Sequence, residues 1–321
     1  MANPPHPIVS LIKLTRPALM PALVGGLWMM VLLAYGVEPA DRRNPALDEM
    51  GGALALLCAA VVAWGLGVFM VALNDALDAR HDRAFEPERP IPSGRVTQRS
   101  ALAISLAGLL AALGASVAFG QLSMLLALVA AGAIVFYNVA GRFVPAVGVV
   151  TLGLIIGVML VIPNPRLAFA WPILLTMTHV IAAATLRYWL AGKRPRLTPI
   201  NGWGICVGWV FWSLVVIVLI RVRGRDITHE DLNWVWLGPT IAAVGLTFIT
   251  WLLLGPSALH PKARRGTAVR FTHLAAAWLI LFHASWLLSA GLWWQGLVVL
   301  ALLFVTSGFA TMSSKTPTKP A

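Results

Sequence analysis

The chain has 321 residues, of which 59% are hydrophobic and 11% charged, and its mean hydropathy is +0.82. A soluble protein carries about a quarter charged residues, so this composition excludes an ordinary soluble domain. The net charge of +12 would point to nucleic acid in a soluble chain; in a membrane chain it is an orientation signal, and no nucleic-acid partner is expected.

The apolar residues fall in blocks near 18–35, 51–73, 100–119, 121–139, 146–163, 169–190, 203–221, 234–254, 271–289 and 291–309. Each is close to the ~17–25 residues a helix needs to cross a bilayer. The ~10-residue alternating segments of a membrane β-barrel do not occur. The last two blocks meet at Ala290-Gly291 and form either a hairpin or one broken helix. The pattern predicts an all-α, polytopic transmembrane bundle of nine or ten helices. It forms a single integral membrane domain over 1–321: a cytoplasmic segment over about 1–16, the bundle over about 17–310, and a tail over about 311–321.

The first block, preceded by Lys13 and Arg16, is too long for a signal-peptide core and reads as a retained helix. The second ends on Asn74-Asp75-Ala76-Leu77-Asp78-Ala79-Arg80-His81-Asp82. Acids at a membrane boundary are costly, which makes them functional candidates. At about 100° per residue, Asn74, Asp78, Asp82 and Asp75 stand at about 0°, 40°, 80° and 100°, on one face of one helix. Mutually repelling carboxylates gain from a divalent cation, or from an anion carried on one. The next segment, Phe85-Glu86-Pro87-Glu88-Arg89-Pro90-Ile91-Pro92-Ser93-Gly94, predicts a helix stop at Pro87 and then an extended, stiff cap. Arg83, Arg89, Arg95 and Arg99 add donors suited to phosphate oxygens. Carboxylates for Mg²⁺ with arginine for phosphate is the chemistry of a diphosphate site.

Later blocks hold fewer signals. Cys58 and Cys206 read as small buried hydrophobes, and no Cys/His cluster has zinc spacing. Gly25-Gly26, Gly51-Gly52, Gly65 with Gly67, and Gly153 with Gly157 read as close helix packing. His179, inside the sixth block, is either an acceptor's general base or an interhelical hydrogen-bonding residue. The loop after that block carries Arg187, Lys193, Arg194 and Arg196 without an acid. These cations either serve a site or only set orientation. With the N-terminus in the cytoplasm, 18 of the 24 Lys and Arg fall on inside segments and 6 on outside loops. This bias predicts a protein of the inner or plasma membrane with the N-terminus and the Asp-bearing loop cytoplasmic.

The string Asn74-Asp75-x-x-Asp78-x-x-x-Asp82, with Arg89-Pro90-x-x-Ser93-Gly94 after it, resembles the first aspartate-rich motif of the UbiA superfamily of intramembrane prenyltransferases. The fuller loop looks most like the chlorophyll-synthase branch. Leu14-Thr15-Arg16-Pro17 is similar to that family's opening Arg-Pro, and Tyr137-Asn138-Val139-Ala140-Gly141-Arg142 to its Tyr-x-x-x-Lys-Arg. Together these cover roughly residues 10–200. The resemblance implies a helical bundle with a central cavity open to lipid. It implies transfer of a prenyl group from a prenyl diphosphate to an aromatic or other lipophilic acceptor in the bilayer. By position, Asn74, Asp75, Asp78 and Asp82 would hold Mg²⁺, with Asp78 and Asp82 the catalytic pair. Arg16, Arg89, Tyr137 and Arg142 would contact the diphosphate, joined by Arg187, Lys193 and Arg194.

The chain also departs from the family's pattern. The second aspartate motif, expected after the sixth block, is absent, since no Asp or Glu occurs between Glu88 and Asp226, and Gly141 replaces the motif lysine. Three readings remain open. The chain is a transferase in which Arg187, Lys193 and Arg194 supply fixed charge. It is a non-catalytic isoprenoid- or lipid-binding protein that has lost the second metal site. Or it is a structural partner in an isoprenoid pathway. A transporter using the Asp cluster as an ion site fits less well, because such sites lie near the bilayer midplane.

Overall fold

A computed structural model describes residues 7–166, 170–192, 195–222, 238–239, 241–243, 245, 249–250 and 264–314. The sequence expectation near 234–254 lies largely outside the described residues. The long helices are α2 (Met20–Gly36), α4 (Gly52–Phe85), α5 (Gln98–Val117), α6 (Gln121–Val139), α7 (Pro145–Val161), α8 (Ala170–Leu190), α9 (Pro199–Val222), α10 (Arg264–Ser289) and α11 (Trp293–Ser314). Two short helices, α1 (Pro7–Leu14) and α3 (Pro45–Met50), precede α2 and α4. Six of the long helices are long and apolar enough to cross a membrane, and α2, α7 and α11 are shorter apolar helices. This is an integral membrane protein. The last two blocks are separate helices, divided at Gly291, whose φ of 77° turns the chain.

Local chemistry sets the helix ends. Pro45 and Pro145 occupy first-turn positions, where a missing N–H costs nothing. The Thr97 side chain accepts from the Ser100 amide at 3.0 Å and starts α5. At the opposite end of the bundle from the Asp cluster, the Asn44 amide donates to the Phe119 and Pro163 carbonyls at 2.9 and 3.1 Å, joining three connections.

Six helices form a ring in which α2, α4, α6, α7, α8 and α10 each pack on the next, and α10 returns to α2. Helices α5, α9 and α11 flank it, on α4 and α6, on α7 and α8, and on α2 and α10 respectively. The core lies inside this ring, with Leu27, Met30, Leu66, Ile134, Ile155, Ile280 and Phe282 fully buried. The outer helices turn large apolar side chains outward, such as Trp203, Phe211 and Val218 of α9 and Phe304 of α11. Water would penalise such a surface at roughly 25 cal/mol per Å², whereas lipid does not.

Small residues let the helices close up. A Cβ on Gly65 would lie 2.5 Å from the Gly108 carbonyl oxygen, so α4 and α5 cross backbone to backbone. Gly153 likewise receives Ile181 of α8. The Gly51-Gly52 pair does not serve packing: Gly51 has a φ of 74° with nothing within 4 Å, and it turns the chain into α4. Cys58 is half-buried, but Cys206 is exposed on the outward side of α9, contrary to its reading as a buried hydrophobe.

Candidate diphosphate site at the end of helix α4

Helix α4 runs 34 residues without a break, so the Asp-bearing segment is its last three turns. Ala72, Ala76 and Ala79 pack under Leu14, Ile91, Val96 and Ala101, which orients the opposite face. The loop over this helix end is not the extended cap that its prolines suggest. Ser93 N–H donates to the Arg89 carbonyl, Gly94 to Ile91, and Val96 to Pro90, so residues 89–96 fold into tight turns. Burial of Ile91 and Val96 draws the loop inward.

Each aspartate has a close arginine partner, and each of these arginines comes from a different connection. Arg16, between α1 and α2, donates to Asp75 Oδ1 at 2.5 Å. Arg142, in the single 3₁₀ turn after α6, reaches both Asp78 oxygens at 2.6 and 2.7 Å and Asn74 Oδ1 at 3.1 Å. Arg89, in the loop after α4, donates to Asp82 Oδ2 at 2.8 Å, pairs with Glu86, and stands 3.9 Å from Asp75. Asn74 Nδ2 donates to Asp78 Oδ2 at 3.0 Å. Burial works against the charge of the Arg89 guanidinium, but Asp82, Glu86 and Asp75 outweigh it and hold the group above the ordinary arginine range. Of the other loop arginines, Arg95 is spent on Ser93 Oγ at 2.7 Å and the Glu88 carbonyl. Arg83 and Arg99 are exposed.

The backbone places these cations. Arg16 has a φ of 47°, in the left-handed region that non-glycine residues rarely adopt. The Arg142 turn presses on α7 at Gly148, where a Cβ would lie 3.0 Å from Arg142 Cα. Beside it, Asn138 is buried and donates to Ile134 and Met70 carbonyls at 3.0 and 3.4 Å, tying α6 to α4. The sequence analysis missed this residue, although an amide inside an apolar block is itself a signal.

Tyr137 of α6 and Arg187 of α8 both lie within electrostatic range of this cluster. Tyr137 lies within electrostatic range of Arg187, Arg142, Arg16 and Asp78. Arg187 lies within range of Arg16, Tyr137, Arg89 and Glu86. Lys193 and Arg194 lie outside the described residues. Tyr188 is used elsewhere, donating to the Pro195 carbonyl at 2.7 Å. His179 makes an interhelical contact: its Nε2 is 3.3 Å from the Ala275 carbonyl oxygen, and its ring stacks on Trp278 at 3.9 Å.

Among the described residues, no three His, Cys, Asp or Glu side chains converge closely enough to hold a metal ion unaided. The donor chemistry nevertheless suits Mg²⁺, which is bound by one or two carboxylates and completes its shell with water and phosphate oxygens. Carboxylate oxygens of Asp78 and Asp82 with the Asn74 amide oxygen are such donors. Guanidiniums hold them in this structure.

No protein-family model matches the chain. A curated relative, the digeranylgeranylglyceryl phosphate synthase of Methanopyrus kandleri, is 33% identical over 128 residues, which is 39% of this chain and 45% of the relative. The chain thus matches less than half of that relative's length. A solved structure of a digeranylgeranylglyceryl phosphate synthase superposes with a TM-score of 0.58 at 16% identity, over 88% of this chain and 98% of that one. A UbiA homologue from Archaeoglobus fulgidus, solved with GPP and Mg²⁺, superposes with a TM-score of 0.53 at 13% identity, over 91% and 99%.

Proposed function

We propose that this chain, which has the fold of the UbiA homologues it superposes on, transfers a prenyl group from a prenyl diphosphate to an aromatic or other lipophilic acceptor in the bilayer, dependent on Mg²⁺. One observation carries this reading: Arg16, Arg89 and Arg142 converge from three connections on Asp75, Asp82 and Asp78 of a single helix end. Such a cluster is balanced alone and can also exchange partners. The carboxylates can turn to a divalent cation while the guanidiniums turn to phosphate oxygens.

In this proposal Asn74, Asp75, Asp78 and Asp82 hold Mg²⁺, which when bound neutralises charge on the departing diphosphate. Arg16, Arg89, Arg142 and Arg187 clamp diphosphate oxygens, and the Tyr137 hydroxyl donates to another. Lys193 and Arg194 join the clamp by their place in the sequence. The apolar helices keep water from the reacting carbon. The allylic C–O bond breaks, a bond to the acceptor carbon forms, and diphosphate and the acceptor's proton leave. The prenyl chain and acceptor occupy a central cavity open to lipid, and the site faces the cytoplasm.

A second reading is a non-catalytic isoprenoid- or lipid-binding protein. It is favoured by the confinement of the site's acids to the end of α4 and the turn after it, with none on α8. Proteoliposomes of the full chain with Mg²⁺, a panel of prenyl diphosphates and lipophilic acceptors separate the two. Transfer predicts pyrophosphate release that vanishes in Asp78→Asn and Asp82→Asn. Donor binding without release supports the second reading, and the absence of both sinks the diphosphate site.

A further inference from the structure

We propose that Arg187 acts as a fixed counter-charge on the wall facing α4, and that the site therefore takes one divalent cation per diphosphate. The inference rests on the diphosphate reading and specifies how that ligand's charge is met.

The acids are distributed unevenly. Asp75, Asp78 and Asp82 all stand on α4, and Glu86 is the residue that caps it. The facing helix α8 carries no acid, and the sequence has none from residue 89 to residue 225. A divalent cation needs anionic oxygens, and at this end of the bundle the described residues offer them on α4 and its cap. A second cation on the α8 side would find no carboxylate on α8 itself, and Glu86, the acid within range of Arg187, is already paired with Arg89.

Arg187 stands there instead. Arg16, Arg89 and Arg142 each have a carboxylate partner within 2.8 Å, whereas Arg187 makes no ion pair among the described residues. It nevertheless lies within range of the guanidiniums of Arg16 and Arg89, of the Tyr137 phenol and of the Glu86 carboxylate that Arg89 pairs. With two guanidiniums in range and Glu86 already shared with Arg89, the charge of Arg187 is under-matched until a further anion arrives. A diphosphate between the walls would meet a carboxylate-held cation on one side and a planar guanidinium, with its forked donors, on the other.

The test uses Mn²⁺ as the divalent probe and inorganic pyrophosphate as the anion, with the full chain in nanodiscs. Bound Mn²⁺ is counted by electron paramagnetic resonance at saturating pyrophosphate, and pyrophosphate affinity is measured by calorimetry. One Mn²⁺ per wild-type chain is expected. Arg187→Gln should weaken pyrophosphate binding by about 10- to 100-fold, the range of a lost charge-assisted hydrogen bond. Arg187→Lys should recover part of that loss. Both variants should melt like wild type, since no ion pair is broken. Two Mn²⁺ per wild-type chain, or unchanged pyrophosphate affinity in Arg187→Gln, overturns this inference and leaves the diphosphate site standing. If the wild-type chain binds no pyrophosphate, both fall together.

Discussion

Removing Arg142 tests whether the arginines hold the site together before any ligand is present. Arg142 and Asp78 keep side-chain exposures of 17% and 21%, and the guanidinium reaches both carboxylate oxygens as well as Asn74. Breaking a fully buried pair from one side costs about 3–5 kcal/mol, because the remaining charge is stranded. An exposed pair is worth about 0–1 kcal/mol. Partial exposure and bidentate geometry put Arg142→Met between these, at about 1.5–3 kcal/mol. Asp78→Asn leaves Arg142 a neutral oxygen and Asn74, so its cost should be about 1–2 kcal/mol. The double variant no longer strands a charge. It should cost less than the sum of the singles by about 1–2 kcal/mol. Reversible unfolding of the four proteins in mixed micelles measures this coupling. Costs that add to within about 0.5 kcal/mol would show that the pair does not interact, and would refute the idea that guanidiniums neutralise the cluster.

Chelation gives a second check. Because the carboxylates already have cationic partners, EDTA should abolish pyrophosphate release while leaving the melting temperature unchanged in the absence of diphosphate; a drop of several degrees would mean that a resident cation holds the fold. At Arg16, Arg16→Ala and Arg16→Gly lose the same ion pair, but glycine relieves the left-handed backbone. Unfolding measurements should find Arg16→Gly more stable by about 1 kcal/mol, and equal stability would contradict the strain. Gly65→Val should cost about 1–3 kcal/mol or prevent folding, since its Cβ meets a backbone oxygen. Gly114→Ala on α5, with nothing within 4 Å, should be neutral or stabilise by about 0.5–1 kcal/mol. Melting curves that did not separate the two would contradict a backbone-to-backbone crossing of α4 and α5.

Hydropathy made the helices legible, because a block of some twenty apolar residues has one stable form in lipid. The helical period likewise put Asn74, Asp75, Asp78 and Asp82 on one face. The partners of those acids were harder to read. Arg142 lies 64 residues from Asp78 and Arg16 lies 59 from Asp75, and no local pattern encodes a pairing at such separation. Repelling acids on one face therefore point to a bound cation in sequence, where the fold brings three of its own. The prolines at 87, 90 and 92 gave the helix stop but misled on the shape of the loop beyond it. Burial of Ile91 and Val96 outweighs the extended preference of residues before proline. Arg83, Arg89, Arg95 and Arg99 are alike by charge and position alone; the Arg-Pro motif singled out Arg89, and the turn geometry brings it onto Asp82.

The unbroken length of α4 has a consequence for how a ligand arrives. Its 34 residues rise about 51 Å, while the hydrocarbon layer is about 30 Å thick. With its apolar run up to Leu73 in the hydrocarbon, the polar last dozen residues, about 18 Å of rise, start at the lipid headgroups and reach beyond them. A molecule with an anionic head and an apolar tail already rides at that depth. Under the proposed function it would reach the aspartates by sliding sideways in the leaflet, without desorbing into water and without drawing its charge through oil. Encounter becomes a search in two dimensions, governed by surface density in one leaflet. Rates should then scale with mole fraction in that leaflet when bulk concentration is held constant.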